Sequence, residues 1–292
     1  MSNAAVIVRT IKEFYELHRY DQLFPNDPTS PPALQGGDWL YSWFAHPRVP
    51  FLAVFAYLLL SKKFFGFIRD VFKVQPKGPA LQWTTIIHSA ILAVYSAWTC
   101  YNTGKIVLPL IAQNGLYATL CDTSGDVWFK EGLGFWVAHF YLSKFYEFID
   151  TWIITLKGRE PIFLQTYHHA GIVIFMWGFT VTAATAGALI TTLFNSFIHT
   201  LMYTYYTLAA FGYSSPLKHY LTQAQMIQFI VGIAITVPTV FMDQCVNPAQ
   251  TVVIVGIQLY AVILIYLFYD FYQKSYTKKG FTDSPSSSKK SN

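Results

Sequence analysis

Residues 132–155, GLGFWVAHFYLSKFYEFIDTWIIT, form an apolar run long enough to cross a ~30 Å hydrocarbon core as a helix. Yet the run carries Lys144, Glu147 and Asp150 within two helical turns. A charged side chain at the centre of a span costs roughly 3 kcal/mol on insertion scales, so three of them do not face lipid. At 100° per residue Lys144, Glu147 and Thr151 share one helix face, with Asp150 beside it. The stretch therefore implies two things at once: a membrane-embedded helix, and other helices packed around a polar interior.

The rest of the chain agrees. Of 292 residues, 53% are hydrophobic and 12% charged, about half the charged fraction of a soluble domain. Further apolar stretches lie at about 49–60 (extending toward Phe67), 83–101, 161–179, 184–210, 223–242 and 250–269. The expected fold is an all-α polytopic membrane protein, with about seven transmembrane helices forming a bundle. The first span is short, and is tilted or partly re-entrant. The N-terminus, MSNAAVIVRTIKEFYELHRY, has charges spaced through it and reads as an amphipathic surface helix, not a cleavable signal; Pro25, Pro28, Pro31 and Pro32 break the chain after it. The expected division is a lumenal segment at 1–48, a helical domain at 49–272 and a flexible cytosolic tail at 273–292.

Orientation follows from the cations. With the C-terminus in the cytosol, thirteen lysines and arginines are cytosolic and six lie on the other side, with Lys144 inside a span. The positive-inside rule then puts the N-terminus in a lumen. The chain ends in KKSN, like a dilysine retrieval signal, which points to the endoplasmic reticulum. Cys121 and Cys245 both fall in lumenal loops, where a disulfide persists, and form a candidate pair; Cys100 sits at a helix end. No soluble second domain, internal repeat or phosphate-cradling glycine loop is visible, and no nucleic-acid partner is expected.

Three more polar islands accompany KFYEFIDT, 144–151. In LQTYHH, 164–169, Gln165, His168 and His169 fall at i, i+3 and i+4 on one side of the fourth span. In NSFIHTLMYTYY, 195–206, Asn195, His199, Met202 and Tyr206 make a stripe with Tyr203 on its flank. In TQAQMIQF, 222–229, Thr222, Gln225 and Phe229 share a face, with Gln228 adjacent. The competing readings are an ion-pair cluster that only joins helices for Lys144 and Glu147, metal ligation for the histidines, and plain packing for the tyrosines. The third and fifth spans carry their islands late and the fourth and sixth carry theirs early, so all four converge at the cytosolic half. That describes a pocket for a ligand with a polar head and a long hydrocarbon tail.

These four segments resemble the KxxExxDT, HxxHH, NxxxHxxMYxYY and TxxQxxQF motifs of the very-long-chain fatty acid elongase (ELO) family, over about Leu52 to Tyr276. Gln165 replaces the first histidine of HxxHH, as in the polyunsaturated-fatty-acid elongases of algae, protists and lower plants. The resemblance implies a bundle around an acyl-chain tunnel and an ER 3-oxoacyl-CoA synthase that condenses long-chain, here polyunsaturated, acyl-CoA with the co-substrate malonyl-CoA; no bound cofactor is expected, and no metal, because Gln165 replaces a possible ligand. Its implied partners are both CoA thioesters, membrane lipid, and the ketoreductase, dehydratase and enoyl reductase of the elongation cycle.

For the chemistry, His168 is expected as nucleophile forming an acyl-imidazole, His199 as its partner and Asn195 as carbonyl polariser. Gln165, a poor metal ligand that does not titrate, orients the pair with His169. Glu147 and Asp150 fix tautomers and balance charge. Lys144, Thr222, Gln225 and Gln228 are expected at the cytosolic mouth as head-group or malonyl contacts, and Thr151, Met202, Tyr203 and Tyr206 as further substrate contacts. The rival mechanism is a ternary complex with His168 as general base. A membrane di-iron desaturase or hydroxylase needs about eight histidines, whereas only His139, His168, His169 and His199 lie near the islands; His18, His46, His88 and His219 lie outside them. A transporter with a buried polar site would show broken helices or repeats with midplane polar groups. The small-residue run VTAATAGA, 181–188, either lengthens the tunnel or lets helices pack closely, with packing favoured.

Overall fold

The computed structural model describes residues 43–213 and 216–277, so the N-terminal amphipathic segment with its prolines and the KKSN tail lie outside the described residues. Each of the seven apolar stretches is helical. The long helices are α1 (Arg48–Val71), α2 (Pro79–Asn114), α5 (Leu133–Tyr146) continued by α6 (Phe148–Leu156), α7 (Phe163–Thr182), α8 (Thr185–Ala210), α9 (Leu217–Thr236) and α10 (Pro248–Tyr272). Short helices α3 (Leu116–Cys121) and α4 (Asp126–Phe129) link α2 to α5. A 3-10 turn over Val237–Phe241 ends α9, and a π turn over Gln273–Thr277 ends α10. Three of the helical segments, Arg48–Val71, Leu217–Phe241 and Pro248–Tyr276, are long and apolar enough to cross a membrane by length and composition.

The protein is a membrane protein, and its surface shows how it meets lipid. Phe51, Leu52, Phe55 and Leu58 on α1, and Val252, Leu259 and Val262 on α10, are all exposed, which in water would be a liability but in hydrocarbon carries no such penalty. The core lies between α5, α7 and α8, where Val137, Phe140, Tyr141, Val173, Met176, Phe179 and Leu189 are buried.

Two elements differ from the sequence reading. α2 runs to Asn114, well beyond residue 101, so Cys100 and Lys105 lie within a helix and not at its end or in a loop. The 132–155 run is two helices meeting at Glu147, whose φ of −64° and ψ of −14° keep the chain right-handed. There Asp150 N–H donates to Glu147 O at 3.1 Å, three residues back, and Ser143 Oγ bonds the carbonyl of Phe140 at 2.7 Å. Such i−3 bonding tightens and bends a helix.

Alternation of the helices gives the bundle two unlike ends. One end holds the connections 72–78 and 157–162 together with residues 211–213 and 216, and we call it the mouth. The opposite end holds the connections 115–132, 183–184 and 237–247, and is tied by the Cys121–Cys245 disulfide, which spans 124 residues of chain with a Cα–Cα distance of 4.4 Å. Asp122 follows Cys121 in a left-handed conformation. Its carboxylate accepts from the Val127 and Trp128 amides at 2.9 and 3.0 Å and from the Thr185 hydroxyl at 3.0 Å. Burial raises the Asp122 pKa, against the opposing effect of those three donors. Gln250 donates to the carbonyls of Thr182 and Ala183 at 3.1 Å, pinning the α7–α8 corner to α10. In the small-residue run at that corner, a Cβ on Gly187 would overlap the Phe179 ring, so close packing accounts for that glycine.

Cross-linking a loop this long stabilises by roughly 2–4 kcal/mol, model-dependent. Non-reducing peptide mapping should therefore recover Cys121 and Cys245 in one linked fragment, with Cys100 alkylated as the free thiol. Cys245→Ser should lower the melting temperature while leaving the product profile unchanged. A free Cys245 in native protein would contradict the bond.

Candidate active site

The polar islands form a ladder between α5/α6 and α8, which run in parallel. At the deepest rung, the Lys144 ammonium donates to Glu147 Oε1 at 2.6 Å and to Asn195 Oδ1 at 3.2 Å, while lying 3.8 Å from the centre of the Phe140 ring. Next, His199 Nδ1 lies 3.4 Å from Glu147 Oε1. Nearest the mouth, the Tyr203 hydroxyl donates to Asp150 Oδ2 at 2.7 Å. The partners advance by three residues on α5/α6 and by four on α8, which keeps each set on one face of its helix. Lys144 and Glu147 are 0% and 1% exposed, and a buried charge is tolerated only when paired and hydrogen-bonded in this way.

α7 enters against this ladder. Gln165 Nε2 donates to Thr151 Oγ1 at 3.2 Å, and the Thr151 hydroxyl also hydrogen-bonds the Tyr57 hydroxyl of α1 at 2.9 Å. His168 turns to the other side, toward α10. The Tyr260 hydroxyl donates to the His168 carbonyl at 2.8 Å, so its oxygen is left to accept from His168 Nδ1, 3.2 Å away. This pair of bonds places the neutral imidazole proton on Nδ1 and leaves the lone pair on Nε2. The approach of Tyr260 depends on Gly171, three residues along α7, because a Cβ there would overlap the tyrosine ring.

A cavity of about 600 Å³ opens from the mouth. Of the residues expected in the site, Asp150, Gln165, His168, His169, Asn195, His199, Met202, Tyr203, Tyr206, Thr222, Gln225 and Gln228 line it. A narrower apolar pocket of about 70 Å³ shares His168, Asn195, Gln228 and Phe229 with it and continues among Ile172, Ile190, Phe194, Ile233 and Ile257. The Gln258 amide donates to Thr236 Oγ1 at 3.3 Å at the wall of this pocket. His168 and Asn195 thus stand where a polar chamber meets an apolar one.

Several expected positions need correction. Lys144 does not line the mouth: it is fully buried behind the chamber, where it binds the oxygen of Asn195 and so directs that residue's NH2 elsewhere. Glu147 and Thr151 are also buried behind the wall and act through their neighbours. His139 does not line the cavity; its Nδ1 is 2.9 Å from the Phe135 carbonyl and its ring stacks against Phe135. His88, set outside the islands by sequence, does belong to the site. It lines the cavity, and its Nε2 lies 3.0 Å from Asp150 Oδ1. Tyr260 was likewise not singled out. Among the described residues no group of three or more His, Cys, Asp or Glu side chains is placed to hold a metal ion.

At the mouth, Lys157, Arg159 and Lys218 line the chamber with Tyr276. Burial, and then the neighbouring Arg159 charge, lower the pKa of Lys157. This cationic rim suits an anionic head group, and the apolar pocket behind it has room for a short hydrocarbon segment.

Comparison with known proteins gives the same architecture a lineage, because the ELO (GNS1/SUR4) family matches residues 42–284. The chain belongs to the ELO family. Its relatives include fatty acid elongase sre1 of Dictyostelium discoideum, 35% identical over 54% of this chain and 59% of the relative. Fatty acid elongase 5 of Leishmania major is 35% identical over 61% of this chain and 72% of the relative. Fatty acid elongase 3 of Trypanosoma brucei brucei is 28% identical over 82% of this chain and 88% of the relative. The alignment with the Dictyostelium relative thus spans about three fifths of that protein's length.

The ladder assigns ELO-family motif residues to distinct jobs: some line the chamber and others hold the liners in place. Tyr260→Phe removes the hydroxyl that accepts from His168 Nδ1, with little change in volume. By analogy with the about 10- to 100-fold cost of losing the partner that orients a metal-ligating histidine, it should lower the turnover of the membrane-bound protein to a similar extent. Unchanged turnover would show that the Tyr260 bond does not set the imidazole.

Proposed function

We propose that the protein is a 3-oxoacyl-CoA synthase of the ER membrane. It condenses long-chain acyl-CoA with malonyl-CoA, and the Gln165 form of the histidine motif points to polyunsaturated chains. The observation that carries this reading is His168, with Nδ1 committed to Tyr260, at the junction of a cation-rimmed chamber and an apolar pocket. The bundle is read as seven transmembrane helices, with the mouth and C-terminus in the cytosol and the disulfide in the lumen, as the distribution of lysine and arginine favours.

The reaction uses the lone pair that Tyr260 leaves on His168 Nε2. It attacks the acyl thioester carbon, the carbon–sulfur bond breaks, and an N-acyl imidazolium forms as CoA thiolate leaves. No proton need leave His168, since Nδ1–H is retained throughout. The Asn195 NH2, aimed by Lys144, donates to the carbonyl oxygen as charge develops there. Malonyl-CoA then loses CO2, its enolate carbon attacks the acyl carbon, and neutral His168 is released with 3-oxoacyl-CoA. His199, its Nδ1 beside Glu147, and His169 stand close enough to shape the field around this centre.

The test is to incubate membranes carrying the protein with malonyl-CoA and a panel of saturated and polyunsaturated acyl-CoAs. A 3-oxoacyl-CoA two carbons longer should appear, and purified protein treated with a strong chelator should keep releasing CO2. No longer product from any chain would overturn the reading; loss of CO2 release restored by zinc or iron would replace the metal-free step with metal-assisted chemistry.

A further inference from the structure

α1 presents apolar side chains to lipid along most of its length, and of its residues only Pro50, Tyr57 and Ser61 are buried. Two of these, one helical turn apart, meet α6. Ser61 Oγ accepts from Trp152 Nε1 at 3.2 Å. The Tyr57 hydroxyl bonds Thr151 Oγ1 at 2.9 Å, while its ring stacks on Phe148 with centres 4.2 Å apart. This second bond does not stop at α6. Thr151 Oγ1 also accepts from Gln165 Nε2 at 3.2 Å, so a chain of hydrogen bonds leads from a lipid-facing helix to the chamber wall.

The chain turns the Gln165 amide one way. A primary amide has a donor end and an acceptor end, and a free side chain can present either. Here the nitrogen is committed to Thr151, which is buried behind the wall, and the oxygen is left for the chamber that Gln165 lines. Gln228 Oε1 is sealed in the interior without a partner; Gln165 Oε1 is not sealed, and no side chain among the described residues donates to it. An open acceptor held in a fixed direction suits a ligand with an N–H group. A CoA thioester carries one close to its reacting carbon, because the sulfur is followed by a two-carbon link and then an amide. Gln165 lies three residues, roughly 4.5 Å, mouthward of His168 on α7. With the acyl carbon at His168 Nε2, the arm of the thioester therefore passes Gln165 on its way to the mouth, and a sulfur and two carbons span a similar length.

We infer that Gln165 Oε1 binds the amide N–H nearest the sulfur of the CoA thioester, and that Tyr57, acting through Thr151, is the positioning residue that keeps this oxygen turned to the substrate. The inference rests on the synthase reading. Gln165 touches no reacting atom; its bond holds the thioester carbonyl over His168 Nε2, and a carbon out of place reacts more slowly. A chain that only tied α1 to α6 and α7 would affect stability and leave the choice of acyl donor unchanged.

The test compares two acyl donors on wild-type, Gln165→Leu, Tyr57→Phe and doubly substituted proteins. One donor is acyl-CoA; the other is the same molecule with the amide nearest the sulfur replaced by an ester, which has no N–H. The readout is kcat/KM for the acyl donor, with melting temperature as the folding control. Wild type should favour the amide donor roughly 10-fold, in the range for losing one partner of a hydrogen bond. Gln165→Leu should bring the two donors within a few-fold of each other. Tyr57→Phe keeps its ring against Phe148 and should lose much of the preference, yet change nothing further once Gln165 is gone. A wild-type protein indifferent to the exchange, or a preference that survives in Gln165→Leu, overturns the Gln165 assignment. An undiminished preference in Tyr57→Phe overturns the role of Tyr57. Should wild-type protein fail to elongate acyl-CoA itself, the synthase reading fails, a result distinct from the absence of an amide preference.

Discussion

Given acyl-CoA and no malonyl-CoA, the protein is expected to release about one CoA per active site and to gain the mass of the acyl chain on a peptide containing His168. His168→Ala should abolish both signals. Gln165→Ala should slow the release without removing the adduct, because Gln165, bonded to Thr151, is assigned orientation and not attack. The contrast between the two variants separates attack from positioning. The measurement is a rapid-quench CoA assay followed by mass spectrometry of the digested protein. If CoA appears only when malonyl-CoA is added and no acylated peptide is trapped, the ternary route with His168 as base takes the place of the covalent one.

The second large effect concerns stability. Lys144→Met leaves the Glu147 carboxylate buried with its main partner gone. Breaking a buried pair in this way costs about 3–5 kcal/mol, so the variant should melt well below wild type in detergent or be recovered poorly. Adding Glu147→Gln should restore much of that stability, since the second change removes the orphaned charge. Activity should stay low in the double variant. Asn195 has lost the ammonium that orients its amide and His199 the carboxylate beside Nδ1. A double variant that is both stable and active would show that the pair serves folding alone. Equal melting of the single variant and wild type would show that the pair contributes nothing to stability.

How much of this was legible in the sequence depends on the range of the signal. The helices were, because a long apolar run reports its own burial and membrane contact locally. So were the residues that share a helix face, such as Asn195 with His199 or Gln165 with His168, since 100° per residue is fixed by backbone geometry. What the pattern did not give is which neighbour each face meets. His88 is a lone histidine in TTIIHSAILAV, 62 residues from Asp150, and Tyr260 lies in VGIQLYAVILIY, 92 residues from His168, with Gln258 and Tyr266 at neither three- nor four-residue spacing from it. Neither has a periodic partner on its own helix, so no spacing marks it. Lys144 went to the wrong depth for a related reason. A cation near polar residues reads as a mouth residue until Asn195, 51 positions away, is seen to bind it inside. The extent of α2 was underread because Asn102, Gly104, Lys105 and Pro109 look like a loop, whereas in the fold they continue the helix to Asn114.

The two ends of the bundle are not equally firm. At the far end a covalent bond, the Asp122 carboxylate and Gln250 lash α3, α4, α7, α8 and α10 together. At the mouth, among the described residues, the ties are single side-chain contacts such as Gln82 to the Ala210 carbonyl, Gln223 to Tyr272, Trp152 to Ser61 and Lys62 to Glu160. The molecule is built like a clothes-peg with a riveted spring. On the proposed reaction the nucleotide end of a thioester would sit at the jaws, which no covalent bond closes, and the hydrocarbon end would point toward the riveted fulcrum.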